Sequence, residues 1–168
     1  MLTRLQKDDG FGLVELVMAM LLLSVGILAI LAAFTSSSVG IRRASRVATA
    51  SALADAQMEL YRALRYSAIA LDSASVSSAN GTPAYSSDPA WSSTQVTMTC
   101  PTLPAECIAS RSVTGADSGT YRVDTYITYQ TPASGRQGKL VTVVVREGSG
   151  TSWLTRARVS TTFDELTG

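Results

Sequence analysis

The sequence predicts an α+β protein: one long N-terminal α-helix, membrane-spanning in its first half, packed through its second half on a small antiparallel β-sheet head. Three observations predict it. Residues 16–34 are 19 consecutive positions without a charge, long enough to cross a hydrocarbon core of about 30 Å. No proline occurs before Pro83, and residues 41–72 are rich in Ala, Leu, Arg, Met and Glu, all good helix formers. From residue 94 onward the chain breaks into short alternating segments divided by Gly- and Ser-containing turns.

Residues 1–10 (MLTRLQKDDG) are short, polar and charged, and end in glycine directly before the apolar run. They read as a leader. Residues 11–40 follow as a membrane-spanning helix. Its eleven Leu, Ile, Val and Phe residues between 16 and 34 favour insertion by about 0.3–0.6 kcal/mol each. Glu15 opposes insertion by at most about 3 kcal/mol, and by less at the membrane edge where it lies. An ordinary secretory signal fits less well, because its apolar core runs about 7–15 residues and a small-x-small site follows closely. Here Ala48 and Ala50 lie well past the core, and Asp8 and Asp9 stand where positive charge is preferred.

Residues 41–72 continue as an amphipathic helix that packs on the head. At about 100° per residue, Leu53, Leu60, Leu64 and Leu71 fall on one stripe flanked by Ala50, Tyr61 and Ala68, with Asp55, Glu59 and Arg62 opposite. Arg42 and Arg46 share that line, so burial is expected to begin only near Ala50. A helix from Phe11 to Leu71 would be roughly 90 Å long. Residues 73–168 form the head. Asn80-Gly81 and Asp88-Pro89 signal turns in a Ser/Ala/Gly/Pro-rich connection. Strands are expected over 94–100, 121–130, 139–147 and 152–163, with one sheet face buried beneath the leucine stripe.

Composition narrows the chemistry. With 14 basic and 13 acidic residues, the formal charge of +1 gives no general attraction to nucleic acid. Histidine is absent, which removes the commonest general base and metal ligand. Cys100 and Cys107 are the only cysteines. They are too few for a zinc site, so a structural disulfide is the natural reading, with a redox pair as the alternative. The turn Asp117-Ser118-Gly119-Thr120 has too few spaced oxygen ligands for calcium. Arg156 and Arg158, with Arg136, Lys139 and Arg146 on neighbouring segments, are candidates for DNA phosphates or for a plain solvated sheet face. No enzymatic role and no cofactor is expected.

The segment Gly10-Phe11-Gly12-Leu13-Val14-Glu15-Leu16 resembles the processing site of type IV prepilins. There a glycine, a cleaved bond, an apolar first residue and a glutamate four places later recur. The run Leu23-Ser24-Val25-Gly26-Ile27-Leu28 and the helix ending Met58-Glu59-Leu60-Tyr61-Arg62 look most like the minor pilins of the PilV class. The resemblance covers about the first 65 residues. It implies the type IV pilin-like fold, cleavage between Gly10 and Phe11 by a prepilin peptidase, and N-methylation of Phe11. It also implies pairing of Glu15 with the Phe11 amine of a neighbouring pilin. Partners would be other pilins, the inner-membrane assembly platform and membrane lipid, with DNA or a surface ligand as a further candidate. The chain would sit in the cytoplasmic membrane with its head outside, and be extracellular once in a pilus. The expected function is that of a minor pilin in pilus initiation or modification. The alternatives are a pseudopilin of type II secretion or DNA uptake, and a membrane-tethered enzyme or receptor whose helix is only an anchor. Departures from the major pilins are the lack of a proline in the apolar segment, which leaves Gly26 or Gly40 for any unwinding, and the lack of a C-terminal disulfide loop.

Overall fold

The computed structural model describes residues 12–131, 135–150 and 152–165. It forms two units, one through Arg43 and a second from Ala44 onward. Helix α1, Leu13–Arg62, contributes to both. In the first unit it is unbroken through Gly26 and Gly40, and every described residue there is exposed. Burial begins at Ala50.

α1 stops at Arg62, short of the expected Leu71. Its last turn tightens as the Leu64 N–H donates to the Tyr61 carbonyl (3.2 Å), and a 3₁₀ turn follows at Tyr66–Ala68. The reason is what residues 71 and 72 do next. Leu71 is extended in β1, Leu71–Asp72, and donates its N–H to the Val96 carbonyl (3.0 Å). Asp72 then caps α2, Ser73–Asn80, by accepting the Ser75 N–H (3.0 Å). The connection expected to be loop thus holds α2 and a single turn, α3, Pro83–Ser86, opened by its proline. The strand expected at 94–100 is only β2, Thr97–Met98, paired parallel to β1.

The head's main sheet has the order β3-β4-β5-β6, antiparallel throughout. These strands are Ser110–Thr114, Thr120–Gln130, Gly138–Ser149 and Ser152–Phe163. The last three match expectation closely; β3 was not foreseen. This is an α+β arrangement of long helix and four-stranded antiparallel sheet, as the type IV pilin fold requires.

Two packing expectations need correction. The buried helix face is Ala50, Ala54, Gln57, Met58 and Tyr61, rotated by about 80° from the leucine stripe. Leu53 and Leu64 only flank the core, and Leu60 is exposed. Alanines at 50 and 54 allow the helix backbone to approach the sheet, and Met58 and Tyr61 fill the space beyond them in one cluster with Val123, Ile127, Val143 and Val145. The sheet is also covered on both faces, since β4 is buried without interruption from Tyr121 to Ile127. Val123, Thr125 and Ile127 share one face; Arg122, Asp124 and Tyr126 share the other. There Tyr85 stacks on Tyr126 with ring centroids 4.4 Å apart.

Candidate functional site

The motif predicted to carry assembly lies at the start of the chain. Gly10 and Phe11 fall outside the described residues. Gly12 and Glu15 fall within them: the Gly12 carbonyl accepts the N–H groups of Glu15 (2.9 Å) and Leu16 (3.2 Å), closing the first turn of α1. This places Glu15 where the helix dipole favours a carboxylate. Below it the helix is apolar on every side. Leu13, Val14, Leu22 and Phe34 are each about 70–80% exposed, as the area a neighbour would have to cover. This single helix is long and apolar enough to cross a membrane.

One feature of this helix was missed in the sequence. At about 100° per residue, the line through Glu15 carries Ala19, Gly26, Ala29, Ala33 and Gly40, interrupted by Leu22, whereas the other leucines point elsewhere. Gly26 and Gly40 have no heavy atom within 4 Å of where a Cβ would stand. Small residues let a second helix approach closely in an apolar medium, so the carboxylate and the easiest helix contact lie on one face. The signal was legible as a period of three to four in Gly and Ala.

The cysteines are joined: Cys100–Cys107 is a disulfide, Cα–Cα 6.5 Å. Its loop is held by α1, as Gln57 Nε2 donates to the Ala105 carbonyl (3.1 Å) and the Tyr61 hydroxyl to the Glu106 carbonyl (2.6 Å). Burial pushes the Tyr61 hydroxyl up to about 12. From the other side, Asp72 accepts the Cys100 N–H (3.2 Å). Bonds from Ser75 and Cys100 hold the Asp72 carboxyl below its ordinary value. These contacts belong to a structural disulfide.

The candidate phosphate-binding arginines are already partnered. Arg156 meets Glu147 at 2.7 Å, and Arg46 of α1 meets the same carboxylate at 2.7 Å. Arg158 holds both oxygens of Asp88 (2.7 and 2.8 Å). Asp88 also binds Arg146, which reaches Asp124 as well. Arg122 completes the cluster on Asp124 (2.8 Å), with its guanidinium 4.7 Å from the centre of the Trp153 ring. Lys139 is buried too, donating to the carbonyls of Tyr66 (2.7 Å) and Ile69 (2.8 Å), and burial lowers its pKa. These cations are thus tied into internal contacts on the two faces of the sheet rather than forming one open basic surface. Arg136 is exposed and stands apart from them.

The turn at Asp117 is a plain turn. The carboxylate accepts the Gly119 N–H (3.1 Å) and the Tyr121 hydroxyl (2.6 Å), and Ser118 takes the positive φ of 60°. No cluster of three or more potential metal ligands exists among the described residues.

Neither a characterised protein nor a solved structure matches the chain. Its N-terminal residues 5–33 match the family described as "Prokaryotic N-terminal methylation motif". That stretch takes in Gly10, Phe11, Glu15 and most of the apolar run, and the motif marks a structural rather than an enzymatic family. This leader-type motif ahead of an exposed apolar helix, with a sheet-bearing head behind it, supports a place in the type IV prepilin-like superfamily.

Proposed function

We propose that this chain is a minor pilin of a type IV pilus, acting in pilus initiation or modification. A prepilin peptidase cuts between Gly10 and Phe11 on the cytoplasmic side and methylates the new Phe11 amine. The α1 segment holds the subunit in the cytoplasmic membrane with the head outside, and later slides into the filament core among other pilins. Glycine at position 10 admits the extended backbone to a protease cleft. An apolar residue at 11 leaves a terminus that tolerates lipid and still carries a positive amine.

The observation that supports this most is the single carboxylate, Glu15, in the first turn of an otherwise uncharged, exposed helix segment. Alone among lipids it is unfavourable. Beside the Phe11 amine of a neighbouring subunit it becomes half of an ion pair. Such a pair adds more to register than to affinity, and losing one partner costs about 3–5 kcal/mol.

N-terminal mass spectrometry of the mature protein tests processing: N-methylated Phe11 is expected, and an intact Met1 or a start beyond residue 35 would overturn it. Glu15→Ala tests assembly, with loss of the subunit from sheared pili expected while its membrane level is unchanged. An anchor-only helix predicts no loss. Co-purification with a secretion apparatus instead of surface pili would replace the minor-pilin reading by a pseudopilin one.

A further inference from the structure

The sheet ends differently on its two sides. Beyond the short β3, the outer edge of β4 is covered by other segments of the chain: the Thr125 N–H donates to Ala109, and Val96 donates to Ile127. β6, twelve residues long, is the terminal strand on the other side, with no neighbour beyond it among the described residues. Natural sheets guard such an edge with lysine, proline or outward charges. β6 contains no lysine and no proline, and its two arginines fold back onto Glu147 and Asp88 of their own chain. A row of core side chains is left unfinished along it: Ala157, Val159 and Phe163 pack on the core yet remain only half-buried.

The register of β6 decides what could finish that row. A bulge opposite Val145/Arg146 breaks the regular pairing of β6 near Arg156, and residues 157–163 beyond it pair regularly with β5. The midpoint of this regular stretch is Ser160. Antiparallel pairing of the stretch with its own copy about Ser160 sets Ala157 against Phe163, Val159 against Thr161 and Arg158 against Thr162, so like faces meet. Registers centred on residues 157 or 158 would instead set arginine against arginine, which is unfavourable. Among the registers free of arginine pairs, the one about Ser160 pairs the whole regular stretch 157–163 with itself, as a two-fold contact favours.

We propose that β6 is a self-pairing edge: two copies of this chain join heads through antiparallel pairing of residues 157–163, with Ser160 on the two-fold axis, to make one continuous eight-stranded sheet. The inference rests on the head alone and does not depend on the proposed function.

Cysteine trapping of the full chain in detergent tests it, because both native cysteines are already joined. Directly opposed residues in an antiparallel pair have Cβ atoms about 4.5–5.5 Å apart, close to disulfide range. Ser160→Cys should give mostly covalent dimer on mild oxidation. Thr162→Cys and Leu154→Cys, whose copies lie far apart in this register, should stay largely monomeric. Adding Thr161→Lys to Ser160→Cys should abolish the dimer while near-UV circular dichroism shows the head still folded; Val159→Lys serves as a second variant. Equal trapping at all three cysteine positions would mean collision through the membrane helix and overturn the proposal. So would trapping at residue 162 alone, or a monomeric Ser160→Cys whose β6 is protected from hydrogen exchange only in the presence of another protein.

Discussion

The front of α1 and the head invert each other. Through Arg43 the apolar side chains face outward, and nothing among the described residues covers them. From Ala50 onward, Asp124, Arg146, Arg122 and Asp88 are buried among apolar neighbours. The difference shows where each region's stability must come from. Among the described residues the front has no core, and on the proposed reading lipid or other helices cover its apolar surface and a neighbour's amine pairs with Glu15. The head neutralises its own buried charges internally. A mutation in one region should therefore leave the other's behaviour untouched.

The sharpest way to break this comparison is to unbalance the head's network. Asp124→Ala strands Arg122 and Arg146, and head stability should fall by about 3–5 kcal/mol. Denaturant unfolding of the full chain in detergent, followed by near-UV circular dichroism, measures it. Glu15→Ala should leave the same curve unmoved. If both variants shift the curve equally, the two regions are not energetically separate.

A second prediction sharpens which face of α1 belongs to the head. Met58→Ala empties a fully buried site and should cost about 2–5 kcal/mol. Leu60→Ala, at a position 36% exposed, should cost about 0.5 kcal/mol. Reversed costs would restore the leucine stripe as the true core face. Third, reduction of Cys100–Cys107 should lower head stability by about 2–3 kcal/mol, the entropy of an eight-residue loop, and leave membrane retention unchanged.

The sequence revealed most where one physical requirement dominates. A charge-free run of membrane length, a single acid at the start of that run, and period-two alternation in residues 121–130 and 152–163 each follow from a single rule. It revealed least where several requirements compete. The leucine stripe at 53, 60 and 64 maximises hydrophobicity, but the sheet accepts the face where Ala50 and Ala54 let the backbones approach. The serine-rich stretch after Asp72 lacks apolar periodicity, so only its cap, Asp72 to Ser75, and Pro83 marked the short helices. Arg146 and Arg158 read as a solvent face because alternation gives the face a side chain takes, whereas their partner Asp88 comes from a segment with no strand pattern at all. The disulfide was legible directly, as was the place of Glu15 at the start of the apolar helix. The small-residue line through Gly26 and Ala33 was present in the spacing but hidden by the surrounding leucines.

The smallest expected effect concerns pH and again separates the regions. The Asp72 carboxyl is held below its ordinary value by the N–H groups of Ser75 and Cys100, and the Asp117 carboxyl by the Tyr121 hydroxyl and the Gly119 N–H. A carboxyl whose pKa is lower folded than unfolded binds fewer protons in the native state. Its stabilising contribution is therefore complete above the unfolded value of about 4. It is lost as pH falls through that value toward the lower folded one. Melting temperatures of the head taken from about pH 6 down to about pH 2 should decline most steeply below about pH 4. Asp72→Asn, which keeps the side chain's shape and one acceptor oxygen, should start lower at neutral pH and decline less. A melting curve in Asp72→Asn that falls as steeply as the wild type would assign the acid sensitivity to other carboxylates, and the cap would then hold the disulfide loop through shape alone.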